Sequence, residues 1–341
     1  MTSKPPGPLT VEKNTQRSQV VGAILSYHRV GDAGYDPWGM RVTPELFAEQ
    51  MSVLAEIGKP TPLAAFARLG QREFPSRLSI AVTFDDGYVD NAEFGLPILQ
   101  RYDIPATVFV STGYTGKPYF WWEALEQIFL RPRTLPPRLA FEHGGKDYSW
   151  LLGEAAEYTW EQYAADSRAC KWRGLPGTRV RLYFEVYDAL WDIPHQSRLR
   201  VVGDIISWAG LGDGAFSDAR PMTADELIRL GSDERITIGG HSVDHLPLDQ
   251  ASSAVQKMEI CGGQSFLETL LGRRVDSFAY PHGKYTPETI RLLRDRGFVV
   301  ACSTLQTAVK GDADPMLMPR LVIKNWDRDE FKLRLSKWIA A

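Results

Sequence analysis

The sequence predicts an α/β protein: a distorted parallel (β/α) barrel of about seven strands, interrupted by a largely helical insertion. Three observations lead there. Short apolar runs alternate with amphipathic stretches of helical period, as in strands buried on both faces and joined by helices. No Gly-rich phosphate loop follows the first apolar run, which argues against a dinucleotide-binding doubly wound sheet. The alternation stops over roughly residues 117–220 and then resumes, so one barrel is expected over 20–341 with a segment set into it.

In chain order, residues 1–19 are polar and Pro-rich and read as a disordered tail. Val20–Tyr27 (VVGAILSY) is the first expected strand. Thr43–Ile57 has a Thr-Pro start, suited to an N-cap and first helical position, and apolar Leu46, Phe47, Met51, Leu54 and Ile57 on one helical face. Leu78–Phe84 is a second strand, ended by Asp85-Asp86-Gly87, with a helix over Tyr88–Tyr102 and a third strand at Ala106–Ser111. The insertion is rich in Trp, Tyr and Arg and broken at Arg131–Arg138 and Gly174–Gly177. Beyond it come a helix at Thr223–Leu230, a strand at Ile236–Gly239, a long helix at Ser252–Leu271 and a strand at Val275–Tyr280. A helix at Pro287–Gly297, strands at Phe298–Ser303 and Met318–Ile323, and a terminal helix at Arg328–Ile339 complete the chain.

Composition excludes several classes. With 341 residues, 44% hydrophobic and 24% charged, the chain can build a large core without disulfide staples. A net charge of -3 gives no electrostatic case for nucleic acid or an anionic membrane surface. Cys170, Cys261 and Cys302 form no C-x-x-C pair, which fits a reducing compartment. No apolar run reaches the about 18 residues of a membrane span, and no export signal is visible, so a cytoplasmic protein is expected.

In a parallel barrel the chemistry sits at the C-terminal ends of the strands. The polar residues expected there are His28, Asp85, Asp86, His241, His245 and His282. Adjacent carboxylates in a dry cleft repel, so Asp85 and Asp86 require a cation or a proton; a helix cap is the structural alternative. His241 and His245, four apart, would share one helical face and could meet one metal. With Asp86 they make a two-His, one-carboxylate set with open positions for water and substrate.

TFDDG (Thr83–Gly87), HSVDH (His241–His245) and FAYPHG (Phe278–Gly283) resemble the three motifs of the polysaccharide deacetylases, carbohydrate esterase family four. YHRV (Tyr27–Val30), FWW (Phe120–Trp122) and LMPRLVI (Leu317–Ile323) resemble bacterial members too, so the likeness covers roughly residues 21–122 and 221–335. The resemblance implies a divalent ion, Zn²⁺ first among the candidates, held by Asp86, His241 and His245. It implies Asp85 as the general base for a water activated at that ion, and an oxyanion donor in the backbone N–H of His282. It further implies hydrolysis of N-acetyl groups on an amino sugar or glycan.

Three features depart from the family pattern, one of them His282, which stands where relatives usually carry Tyr. Ala279 stands where many relatives carry an Arg that orients the base, and Arg320 on the last strand is the candidate substitute. No His follows His282, so the usual C-terminal general acid is missing. The poly-N-acetylglucosamine deacetylase branch carries that acid on the first strand, which here is His28. The His282 side chain either shapes the substrate pocket or competes as the acid. Trp121 and Trp122 either stack on a sugar ring or pack the insertion onto the barrel. Two other functions stay open: the same mechanism on a formamide, an O-acetyl ester or a small amide, and a catalytically silent glycan-binding module.

Overall fold

The protein is described from a computed structural model covering residues 19–32, 34–68, 78–169, 174–212, 215–216 and 219–340. The expected tail, apart from Gln19, lies outside the described residues, as does Cys170.

Seven parallel strands form the barrel: β1 (Val20–Tyr27), β2 (Ser79–Phe84), β3 (Ala106–Val110), β4 (Ile236–Gly240), β5 (Ser277–Ala279), β6 (Val300–Cys302) and β7 (Leu321–Val322). Their spatial order is β7-β1-β2-β3-β4-β5-β6. Every residue of β2 is buried, as a strand covered on both faces requires. β1 and β2 pair in register from Gly22↔Ser79 to Tyr27↔Phe84. The sheet curls because one short segment serves both of its edges. Met318 exchanges backbone hydrogen bonds with β6 (Met318 N–H to Ala301, 2.9 Å; Ser303 N–H to Met318, 2.8 Å), and three residues later Leu321 pairs with Leu25 of β1.

Helices wrap the barrel: α1 (Pro44–Ile57), α2 (Leu96–Tyr102), then after the insertion α6 (Ala224–Gly231), α7 (Gly263–Leu271), α8 (Pro287–Asp295) and α9 (Arg328–Ala340). Thr43 caps α1 through its side chain, as the Thr-Pro start implies. Two expected helices are interrupted. The 88–102 helix opens with a π-type turn at Asn91–Gly95, next to Pro97, which has no N–H to donate. The 252–271 helix carries a π-type turn at Met258–Gly262. Beyond it Gly263 lies so close to the Ser242 carbonyl that a Cβ would sit 3.1 Å away. Strands β5, β6 and β7 are shorter than expected. Tyr280 turns straight into Pro281, and the last segment changes partners partway along its length.

The segment between β3 and β4 builds its own core, centred on α3 (Trp121–Phe129), α4 (Arg179–Trp191) and α5 (His195–Trp208). It also holds an antiparallel hairpin, Arg138–His143 with Lys146–Leu151, which the sequence reading did not anticipate. Its signal was present: two alternating stretches joined by Gly144-Gly145, both at positive φ. Among the described residues no helix is long and apolar enough to cross a membrane.

Candidate active site

The strand ends converge on one cavity of about 260 Å³, lined by His28, Asp85, Asp86, His241, His245, His282 and Arg320 from the barrel. The insertion supplies a second wall, with Trp121, Trp122, Tyr187, Trp191 and Arg198.

Asp85 and Asp86 leave β2 in a turn that needs unusual backbone. Asp86 has φ 73° and Gly87 φ 90°, and a Cβ on Gly87 would meet Val110 at 3.2 Å. The turn aims the two carboxylates apart. Asp85 takes two hydrogen bonds from Arg320, at 2.6 and 2.7 Å, and both side chains are buried. Arg320 immediately precedes β7 and reaches in from there, also donating to the Ser303 carbonyl and Thr83 Oγ1. Burial pulls the Asp85 pKa upward, but the Arg320 charge and hydrogen bonds outweigh it and hold this carboxyl far below the ordinary range.

Asp86 is in the opposite situation. Its Oδ1 is buried without a hydrogen-bond donor, and burial followed by the charge of Asp85 drives its pKa well up. That oxygen lies 3.3 Å from His245 Nε2 and 3.5 Å from His241 Nε2. The three ligand atoms lie within 4.8 Å of one another. His241 Nδ1 is 2.8 Å from the Ala279 carbonyl, which assigns the proton to Nδ1 and leaves the Nε2 lone pair facing Asp86. Burial lowers the pKa of His241 to about 4 and that of His245 well below its usual value. Two neutral imidazoles and a buried carboxyl oxygen with no hydrogen-bond donor among the described residues are a donor set suited to a divalent cation.

One expectation needs correction. His241 and His245 do not share a helical face: the HSVDH segment is a loop with Ser242 (φ 66°) and His245 (φ 56°) in left-handed backbone. The loop is shaped by buried Glu259, whose Oε2 accepts from the N–H groups of Val243 and Asp244, and by Ser242 Oγ, which accepts from His245 N–H. Tertiary contacts, not helical spacing, bring the imidazoles together.

His28 follows β1 and places Nε2 3.9 Å from Asp85 Oδ2. Burial lowers its pKa while Asp85 raises it. His282 sits in left-handed backbone (φ 56°) in the turn after β5, its ring 4.4 Å from that of His245 and 4.8 Å from Trp191. Pro281 opens that turn, so the His282 N–H falls where helical N–H groups lack internal partners. Trp121 is buried between Tyr187 and Arg198. Trp122 is partly exposed, donates to the Tyr88 hydroxyl and stands 5.1 Å from the His245 ring. Sequence reasoning passed over Tyr187, Trp191 and Arg198, which carry no local motif.

The three motif segments fall inside a match to the polysaccharide deacetylase family model over residues 74–134 and 212–301. YxkH of Bacillus subtilis, named as a polysaccharide deacetylase, is 35% identical over 89 residues, 26% of this chain and 30% of its own length. The alignment thus spans under a third of that relative. Among solved structures, IcaB from Ammonifex degensii superposes with TM-score 0.57 at 17% identity, over 95% of this chain and 99% of IcaB. The Streptococcus pyogenes deacetylase PplD, in complex with acetate, gives 0.52 at 18%, over 93% and 98%. At such identities the structural likeness speaks for the fold.

Proposed function

Since this chain belongs to the polysaccharide deacetylase family, we propose that it is a metal-dependent hydrolase that removes an N-acetyl group from an amino sugar or glycan. The observation that carries the reading is the opposed pair of carboxylates. Asp85 is locked ionised by Arg320, and Asp86 turns an oxygen that has no hydrogen-bond donor among the described residues toward two neutral imidazoles in the same cavity.

Asp86, His241 and His245 would hold the ion, and three protein ligands of this kind suit Zn²⁺. A divalent cation there supplies Lewis acidity toward the acyl carbonyl and a more acidic water. Asp85, ionised at any working pH, accepts the proton of the attacking water. The His282 N–H is assigned as donor to the developing oxyanion. The amide nitrogen leaves as an amine only when protonated, and His28 is assigned that donation. The proton collected by Asp85 has 3.9 Å to cross to His28, so His28 need not be charged at rest. The step balances: the water oxygen bonds the acyl carbon as the C–N bond breaks, one water proton reaches the nitrogen by way of Asp85 and His28, and acetic acid and the free amine leave while neither side chain keeps a proton. A silent glycan-binding module gains no support from a site that keeps its base, its ligands and the arginine that orients the base.

The test is release of acetate and free amine from N-acetylated sugars by metal-loaded protein, with Asp85→Asn as control. Absence of turnover across free, nucleotide-linked and oligomeric N-acetyl sugars would overturn the reading.

A further inference from the structure

Four arginines line the cavity, and three are committed to carboxylates. Arg29 pairs with Asp90 and Glu123, Arg41 with Glu123 and Glu126, and Arg320 with Asp85. Arg198, on α5 of the insertion, is the exception. It is 7% exposed, and among the described residues no carboxylate pairs with it. Its Nε and Nη2 donate to the carbonyls of Leu190, Trp191 and Ile193 at the C-terminal end of α4, at 2.9, 2.8 and 3.0 Å. Its guanidinium lies over Trp121 at 4.7 Å and Trp191 at 5.9 Å. Nη1 makes no hydrogen bond within the described residues.

Capping α4 accounts for two of the three nitrogens and is favourable at the negative end of a helix dipole. It does not account for a full charge kept in a largely dry wall, because a neutral donor would cap those carbonyls at a smaller desolvation cost. The Asp192 carboxylate acts on it only from a distance, without a hydrogen bond or ion pair. A buried cation that no carboxylate pairs with among the described residues, at the rim of a ligand cavity, is a site for an anion, and guanidinium is the group best suited to carboxylate and phosphoryl oxygens. The wall that carries it adjoins the catalytic groups: the Trp191 ring touches His282, and His282 touches His245.

We propose that Arg198 binds an anionic group of the substrate, a carboxylate or a phosphoryl group on the acylated amino sugar. The substrate is then an acidic or phosphorylated amino-sugar derivative, not a neutral polymer of N-acetylated residues. This rests on the hydrolase reading above and adds its substrate class.

The experiment is calorimetric titration of chelator-treated protein, so that no anion can sit on a metal. The ligands are N-acetylglucosamine, its 1-phosphate and 6-phosphate, and N-acetylmuramic acid. At least one anionic sugar is expected to bind about tenfold or more tighter than the neutral one, in line with a charge-assisted contact. Arg198→Gln should abolish that preference and leave the neutral sugar within about twofold, whereas Arg198→Lys should keep part of it. The favoured arm separates carboxylate from phosphoryl recognition. Equal binding of neutral and anionic sugars by the parent, binding of none of them, or an undiminished preference in Arg198→Gln would overturn the proposal. Should Arg198→Gln fail to fold, the parent's preference and its partial retention in Arg198→Lys still decide, because a purely capping arginine predicts no preference. Acetate release by the metal-loaded enzyme is scored separately. Its absence beside an intact anion preference sinks the hydrolase reading alone.

Discussion

Arg320→Met is the sharpest test of how Asp85, the proposed base, is held. In the native protein Arg320 and Asp85 are both buried and share two short hydrogen bonds. Two unit charges about 4 Å apart attract by about 4 kcal/mol at an effective dielectric near 20. Stranding one partner of a buried pair costs about 3–5 kcal/mol. The pH dependence follows from the depressed pKa of Asp85. Its contribution to stability is fully present above the unfolded-state value of about 3.9 and is lost as pH falls through and below that value. In the variant, burial raises the Asp85 pKa instead, so ionisation above about pH 3.9 opposes folding. The gap between native and variant protein should therefore be about 3–5 kcal/mol at pH 7 and shrink toward pH 4. Urea unfolding followed by tryptophan fluorescence, on chelator-treated protein at both pH values, measures it. The acid limb of the pH–rate profile should also move upward, since Asp85 then protonates more readily. A gap below about 1 kcal/mol at pH 7, or an equal gap at both pH values, would refute the argument. The first outcome would mean the pair is not desolvated. The second would trace the loss to the Arg320 bonds with Ser303 and Thr83, which do not titrate.

The remaining predictions concern the proposed catalytic and metal-holding groups. Elemental analysis should find about one divalent ion per chain, lost in His241→Ala and in His245→Ala; retention in both would remove the metal site. Asp85→Asn should keep the ion and the fold, judged by elemental analysis and circular dichroism, while kcat falls about a hundredfold or more. His28→Ala should cripple amide hydrolysis yet spare an activated acetyl ester, whose leaving group needs no proton, and His282→Ala should chiefly raise KM. The reverse pattern would exchange the roles of the two histidines.

The barrel was legible because its signals are local. An apolar run of six residues, a Thr-Pro helix start or an Asp-Asp-Gly turn is written within a few positions, and the strands and wrapping helices fall where those signals lie. The candidate catalytic residues were legible for a related reason: barrel topology delivers whatever follows each strand to one end. What the chain by itself determined is thus the identity of the groups at that end. What only the tertiary structure decided is how they meet. The HSVDH segment gathers its imidazoles in a loop held by Glu259, against the helical reading of the same spacing. Arg320 finds Asp85 across 235 residues, because β7 inserts beside β1 and closes the curl there. Arg198 carries no sequence signal at all. Its proposed role comes from where the insertion packs, and from the carboxylates that pair with the other three arginines of the cavity but, among the described residues, not with this one. Periodicity is a property of neighbours along the chain, whereas charge pairing and desolvation depend on neighbours in space, and those exist only once the barrel has closed.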